Sequence, residues 1–116
     1  PIRITVAAHS HLMAEAAAAF NDRVDTVALA DAAVPVVANV TAAPITAAAD
    51  VRAEMRAQLT HAVRWTASVE TMLAAGVTTF FEIGPGTVLG GLVKRIARGW
   101  PDVEVRVHAL GEPPAP

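Results

Sequence analysis

The sequence predicts an α/β fold with a largely parallel sheet, and two observations carry that prediction. Runs rich in β-branched residues alternate along the chain with runs in which apolar residues recur every three or four positions. Glycine or proline follows several of these runs, as expected for turns between regular elements. Helices that alternate with hydrophobic strands favour parallel pairing. At 116 residues the chain is at most one small domain.

The first half of the chain contains the patterns of a strand, a helix and a second strand. Residues 2–6, IRITV, alternate apolar and polar side chains, which is typical of a strand with one buried face. From Leu12 to Phe20 apolar residues lie three and four positions apart, so we expect a helix over residues 11 to about 21. We also expect the side chains of Leu12 and Phe20 to lie in the core. Residues 34–40, VPVVANV, predict a buried strand followed by a loop.

Two helices follow in the middle of the chain. Asp50 is a suitable N-cap for a helix whose apolar residues recur every four positions as far as Leu59. The apolar face of the next helix runs from Trp65 to Leu73, and Gly76 stands just past its end.

A strand, a helix and a final strand complete the order. Residues 77–83, VTTFFEI, predict a strand that stops at the glycines and proline of residues 84–86. Thr87 is placed to cap the next helix, which ends at Gly99. Alternating valines predict a short strand over residues 103–107.

The ends of the chain lead to two further expectations. We expect residues 1–110 to form one structural piece and residues 111–116, GEPPAP, to be a Pro-rich tail. The start has neither an initiator Met nor the regions of a signal peptide, so we expect a cytoplasmic protein. Because the sequence starts inside a predicted strand, we expect the chain to be a piece of something larger.

Composition excludes several functions. Nine basic and eleven acidic residues, with Lys94 as the single lysine, leave no basic stripe for nucleic acid. The apolar runs are shorter than the roughly 18 residues of a membrane span, so we expect no membrane insertion. Without cysteine there is neither a disulfide framework nor thiol chemistry.

His9 is the candidate catalytic residue, because it follows a predicted strand and functional groups gather at the carboxyl ends of strands in α/β folds. A lone histidine is nevertheless more often structural. His9 and His11 form an H-x-H pair, but a closed zinc site needs four ligands, and His61, His108 and the carboxylates lack ligand-like spacing. We therefore expect no metal site. Residues 84–86 lack the lysine of a phosphate-binding loop and predict a tight turn.

Five different short motifs are spread over nearly the whole chain, and together they form a specific combination. They are residues 6–13 (VAAHSHLM), 34–40 (VPVVANV), 58–59 (QL), 63–70 (VRWTASVE) and 81–89 (FEIGPGTVL). In this order and spacing they resemble the C-terminal part of malonyl-CoA:acyl-carrier-protein transacylases, an acyltransferase family shared with polyketide synthases. The resemblance implies the C-terminal portion of a layered α/β hydrolase-like acyltransferase domain with a largely parallel sheet.

The resemblance also implies an activity. A serine would attack the malonyl thioester of coenzyme A, and the pantetheine thiol of acyl carrier protein would then take the malonyl group from the acyl-enzyme. His9 matches the general base, and the main-chain carbonyl of Gln58 matches the acceptor that orients its ring. Acyl carrier protein and malonyl-CoA are the implied partner and substrate, and no cofactor is expected.

The family's nucleophile is expected in an N-terminal part of the enzyme, so we expect this chain to be inactive alone. Ser10 and Ser68 lack the flanking glycines of a G-x-S-x-G elbow. Arg95 and Arg98 could meet the acidic carrier protein or could simply complement a helix dipole.

Two alternatives stay open beside this interpretation. One is a polyketide synthase acyltransferase piece with a different extender unit, and the other is a non-catalytic α/β interaction module. Ala8 stands where the family commonly has Ser or Phe before the histidine, which puts strict malonyl selectivity in doubt.

Overall fold

A computed structural model of the protein describes residues 7–111, so the strand predicted over residues 2–6 and the end of the tail, residues 112–116, lie outside the described residues. The described part contains the α-helices and strands α1 Ala14–Thr26, β1 Val36–Val37, β2 Pro44–Ile45, α2 Ala48–Ala57, α3 Trp65–Ala74, β3 Thr79–Ile83, α4 Val88–Ala97 and β4 Arg106–Leu110. A 3-10 helix, His11–Met13, precedes α1. Among residues 7–111 no helix has the length and apolar character needed to cross a membrane.

The described residues divide into two compact units, with the boundary between Ser68 and Val69. In the first unit α1 packs against α2. Arg52 of α2 donates from its guanidinium to the main-chain oxygens of Val24 and Val27, at the C-terminal end of α1. Because a helix end leaves carbonyls unpaired and carries a partial negative charge, this arginine stabilises the end of α1 in both respects.

The predicted helix after residue 11 is present, but its buried side differs from the prediction. Leu12 is 70% exposed and Phe20 is 37% exposed, so the prediction that both lie in the core is wrong for this structure. The buried residues of α1 are Ala17 and Val24. The alanines of α1 lie on several sides of the helix. The apolar spacing therefore predicts a helix but does not show which of its faces is buried.

Residues 34–40 do not form the buried strand that their composition predicts. Of these residues, Val36 and Val37 form a strand, β1, which pairs antiparallel with β2, with Val36 opposite Ile45 and Val37 opposite Pro44. Val36 is 46% exposed, so this prediction is wrong. The chain turns back after Ala38, whose main-chain oxygen accepts the N–H of Ala42 at 2.9 Å.

The helix α2 begins two residues before Asp50, so the prediction that Asp50 is its N-cap is wrong. Ala47 occupies the N-cap position, and its side chain cannot accept a hydrogen bond. Instead Asp31 Oδ1 accepts the N–H of Ala48 at 2.8 Å. The capping oxygen comes from 17 residues away in sequence, where a local pattern does not reveal it.

The start and end of α3 confirm the sequence prediction. The helix begins at Trp65, and Gly76 follows it with a φ of 85°. The N–H of Gly76 bonds to the oxygen of Leu73 at 2.9 Å, and the N–H of Val77 bonds to the oxygen of Met72 at 3.0 Å. This pair of bonds is a Schellman motif, in which glycine takes the left-handed conformation without a Cβ penalty.

The second unit contains a strand–helix–strand arrangement. β3 and β4 pair in parallel, from Thr79 opposite Arg106 to Ile83 opposite Leu110, and α4 packs against both strands. A Cβ built on Gly90 of α4 would lie 2.8 Å from Val107 Cγ1, so the close approach of helix and sheet requires glycine there. The parallel pair confirms the α/β fold class, although β4 begins three residues later than the valine pattern predicts.

Candidate active site

His9 lies in a turn just before the 3-10 helix, with a backbone φ of 60°. Residues with a Cβ rarely occupy this left-handed region. Ser10 Oγ donates to the oxygen of Ala7 at 2.7 Å, and the N–H of Met13 donates to the oxygen of Ser10 at 3.0 Å. Strained backbone of this kind clusters at functional sites and persists only where neighbouring bonds support it.

The ring of His9 is hydrogen-bonded to the main-chain oxygen of Gln58, with Nδ1 at 2.8 Å from that oxygen. Because a carbonyl oxygen can only accept, Nδ1 carries the hydrogen in this contact, and in the neutral ring Nε2 keeps its lone pair. A ring fixed in this tautomer can take a proton at Nε2. The structure therefore brings His9 and Gln58 together, while their catalytic roles stay a prediction.

Gln58 is held at the C-terminal end of α2. Its N–H bonds to the oxygen of Glu54 at 3.0 Å, and its side-chain Oε1 accepts from Asn39 Nδ2 at 3.3 Å. Its carbonyl belongs to the last turn, where a helix offers no partner of its own. That carbonyl is consequently available to the imidazole of His9.

Glu54 and Asn39 extend this network beyond the two predicted residues. Glu54 Oε1 accepts the N–H of Asn39 at 2.7 Å and the N–H of Val40 at 3.1 Å. The sequence offers one signal for Glu54, which precedes Gln58 by four residues, the spacing that places side chains on one helix face. Asn39 is marked only by being a polar residue within an apolar run.

The other histidines make separate contacts. His61 Nδ1 lies 3.0 Å from the oxygen of Ala57, also near the C-terminal end of α2. His11 is exposed in the 3-10 helix, and His108 stacks on Phe81 with ring centroids 5.1 Å apart. In the part of the chain that the structure describes, no three His, Asp or Glu side chains are grouped so that they could hold a metal ion.

The turn of residues 84–86 leads into α4, whose first N–H groups are held by Glu82. The Glu82 carboxylate accepts the N–H of Leu89 at 3.1 Å and the N–H of Gly90 at 2.7 Å. A helix N-terminus attracts anions, and here a carboxylate of the chain itself occupies that position. Thr87 is the N-cap residue as predicted, but its side chain makes no capping bond.

One ion pair joins α1 and α2 in the first unit. Arg56 hydrogen-bonds to Asp25, which lowers the pKa of the Asp25 carboxyl and raises the pKa of the Arg56 guanidinium. The side chains of Arg56 and Asp25 are 44% and 50% exposed, so solvent screens the pair and its energetic contribution is small.

The chain has relatives among characterised proteins, although no protein-family model matches it. The malonyl CoA-acyl carrier protein transacylase of Bacillus subtilis strain 168 is 43% identical over 98 residues, which are 84% of this chain and 31% of that protein. The corresponding protein of Salmonella typhimurium is 38% identical over 115 residues, 99% of this chain and 36% of that protein. The polyketide biosynthesis protein PksE of Bacillus subtilis is 38% identical over 96 residues, 83% of this chain and 12% of that protein.

Solved structures show the same relationship. An acyl carrier protein S-malonyltransferase from Vibrio cholerae matches with a TM-score of 0.85 and 32% identity, over 97% of this chain and 35% of that one. A malonyl-transacylase in complex with a type II polyketide synthase acyl-carrier protein matches with a TM-score of 0.80 and 33% identity, over 97% of this chain and 34% of that one.

These likenesses define the chain, by fold and sequence, as an α/β acyltransferase segment. It belongs to the malonyl-CoA:acyl-carrier-protein transacylase family and corresponds to a C-terminal piece of its members. The chain spans about a third of the length of the transacylases that it matches.

Proposed function

We propose that the chain forms part of an enzyme that transfers malonyl from coenzyme A to the pantetheine thiol of acyl carrier protein, by way of a serine acyl-enzyme in the cytoplasm. The observation that carries the proposal is the 2.8 Å contact between His9 Nδ1 and the oxygen of Gln58. This contact orients the ring as a general base requires, and it leaves Nε2 as the ring nitrogen that can take a proton from a nucleophile. The relatives named as transacylases support the choice of substrate and partner.

In the proposed cycle His9 moves a proton in each half-reaction. Nε2 takes the serine proton as the serine oxygen forms a bond to the malonyl carbonyl carbon, and then returns that proton to the departing thiolate of coenzyme A. The carrier thiol next gives its proton to Nε2 while its sulfur bonds to the acyl carbon. The bond between that carbon and the serine oxygen then breaks, and Nε2 returns the proton to the serine.

The nucleophile in this proposal lies outside the 116 residues. Ser10 Oγ is bonded to the oxygen of Ala7, and the buried Ser68 donates its hydroxyl to the oxygen of Arg64 at 3.0 Å. Neither serine stands on a strand-to-helix elbow with flanking glycines. We therefore propose that an N-terminal part of the same enzyme supplies the nucleophilic serine, and that the chain alone is inactive.

A reconstitution experiment tests this function. The chain is produced together with the preceding coding sequence of its gene, and malonyl-CoA labelled in the malonyl group is added with acyl carrier protein. We expect a hydroxylamine-labile malonyl adduct and labelled carrier protein, and the chain alone should form neither. The substitution His9→Ala should lower kcat by about 100-fold, whereas the control His11→Ala should stay within twofold of the wild type. Failure of the complete protein to form the adduct would sink the proposal.

A second candidate is an acyltransferase piece that loads a different polyketide extender unit. The similarity to PksE favours it, as does the small Ala8 before the candidate base. The ratio of kcat/KM for malonyl-CoA to that for methylmalonyl-CoA decides between the two. A ratio well above one supports the malonyl enzyme, and a ratio below one supports the alternative. A non-catalytic module predicts turnover with neither thioester.

A further inference from the structure

Asn39 makes hydrogen bonds to three residues, one of which is Gln58, whose main-chain oxygen binds the His9 ring. Its main-chain N–H bonds to Glu54 Oε1 at 2.7 Å, and its main-chain oxygen accepts the N–H of Arg64 at 2.8 Å. Its side-chain Nδ2 donates to Gln58 Oε1 at 3.3 Å. We propose that Asn39 is a positioning residue for His9, acting through Gln58. The inference rests on the proposed function, since it concerns the base of that reaction.

The position of Gln58 explains why its carbonyl needs support. Gln58 is the C-cap of α2, one residue beyond the last helical position, and helix ends fray. The N–H of Gln58 is held by the main-chain oxygen of Glu54. The carbonyl of Gln58, which His9 binds, lies on the other side of the residue, beyond the end of the helix. A hydrogen bond from Asn39 to the Gln58 side chain restrains this terminal residue. The direction of the carbonyl, and with it the angle of the imidazole, thereby becomes fixed.

The backbone of Asn39 is itself anchored on both sides. Glu54 Oε1 accepts two successive N–H groups, those of Asn39 and Val40, so one carboxylate fixes the turn after β1 to α2. On the other side the N–H of Arg64 fixes the Asn39 carbonyl. The side-chain amide therefore projects from an anchored backbone, which makes it an effective restraint on Gln58. This role also accounts for the polar residue within the apolar run VPVVANV.

A double-mutant cycle in the complete enzyme tests the coupling. Asn39→Ala removes the donor, and Gln58→Ala removes the acceptor while leaving the main-chain oxygen for His9. We expect each substitution to lower kcat by about tenfold with KM changed less than twofold, because misplacement of a catalytic group affects the chemical step. The double variant should be no slower than either single variant, because both remove the same restraint. Multiplicative losses in the double variant would overturn the proposal.

Nitrogen NMR of the His9 ring gives a second readout that needs no activity. The ¹⁵N shifts of Nδ1 and Nε2 report which nitrogen carries the hydrogen, and we expect the Nδ1–H form in the wild type. Asn39→Ala should shift these signals toward a mixture of tautomers. The matched control is His61→Ala, which removes a hydrogen bond at the same end of α2 without touching Gln58, and it should leave the His9 signals unchanged. Wild-type ring signals in folded Asn39→Ala would refute the role of Asn39.

The two proposals fail in different ways. A complete wild-type protein without malonyl transfer would refute the proposed function, while the ring signals would still report whether Asn39 controls His9. A fully active wild type whose Asn39→Ala variant has the same kcat would refute only the inference about Asn39. Thermal melting of every variant shows whether the proteins compared are folded. Gln58→Ala is expected to leave α2 intact, because alanine is a good helix former.

Discussion

His9 owes its geometry to two sets of contacts of different range. The backbone φ of 60° is supported locally, since the Ser10 hydroxyl reaches the oxygen of Ala7 across His9 at 2.7 Å. The ring is oriented by an oxygen 49 residues further along the chain. A local bond therefore sets where the side chain leaves the backbone, and a distant bond sets how its ring points.

The substitution Ser10→Ala should separate the local contribution. Without the hydroxyl, the turn loses the bond that closes it, and His9 can relax out of the left-handed region. We expect kcat of the complete enzyme to fall by about tenfold with little change in KM, because the base is displaced rather than removed. Steady-state kinetics measure this effect. The control is Ser68→Ala, which should cost about 1 kcal/mol of stability and leave kcat within twofold. Equal kcat in the Ser10 variant and the wild type would contradict the prediction.

The pairing of His9 with Gln58 shows what sequence can and cannot indicate about the site. No local pattern joins residues 49 positions apart, so only the resemblance to a family of known proteins predicts this pair. Glu54 could be predicted in part from its spacing to Gln58 on one helix. Asn39 could not, because its contacts depend on where the turn after β1 lies relative to α2.

At the scale of elements, a sequence signal predicts the structure correctly where the residues that hydrogen-bond to each other are close in sequence. Gly76 ends α3 as predicted, because the bonds of this turn join residues only three to five positions apart. Asp50 is not the N-cap because Asp31, from a distant loop, serves the start of α2. Residues 34–40 are not a buried strand, because composition cannot distinguish a core strand from a two-residue hairpin strand with an exposed valine.

The contact between α4 and the sheet leads to a matched pair of substitutions. A Cβ at Gly90 would lie 2.8 Å from Val107 Cγ1 and 3.0 Å from Glu82 Oε2, the oxygen that caps the helix. Gly90→Ala should therefore destabilise the protein by about 1–3 kcal/mol. A Cβ at Gly91 of the same helix would have nothing within 4 Å, so Gly91→Ala should stabilise by up to about 1 kcal/mol. Urea unfolding measures both, and equal effects of the two alanines would contradict the close approach.

The ion pair between α1 and α2 predicts a dependence of stability on pH. The pKa of Asp25 is lowered by the hydrogen bond from Arg56, so its contribution is fully present above the ordinary carboxyl pKa of about 4. This contribution is lost as the pH falls through the lowered pKa, because protonation of the Asp25 carboxylate then breaks its ion pair with Arg56 in the folded state. The difference in unfolding free energy between the wild type and Asp25→Asn should be small at neutral pH, reduced by salt, and absent in strong acid. Asp102→Asn, at an exposed position, is the control. A difference that grows as the pH falls would contradict this assignment.

For the whole molecule, one face of the parallel sheet in the second unit carries exposed apolar side chains. Phe81 is 59% exposed, Ile83 is 83% exposed and Leu110 is 49% exposed. Alternation along β3 and the opposition of Ile83 to Leu110 put these three side chains on the same face, while α4 packs on the sheet. Parallel sheets are normally covered on both faces. The rest of the proposed enzyme is therefore expected to cover this one.

The uncovered face predicts how the 116-residue chain should behave alone. Contact between two such faces removes apolar surface from water, and burying an isoleucine is worth about 1.5–3 kcal/mol. We expect concentration-dependent association in sedimentation velocity, weakened by about tenfold or more in Ile83→Lys. Val34→Lys, at a side chain that is 69% exposed in the first unit, should change association much less. The same Ile83→Lys substitution should destabilise the complete enzyme, because there it would bury a charge. Association that is indifferent to Ile83→Lys would show that this face does not mediate the contact.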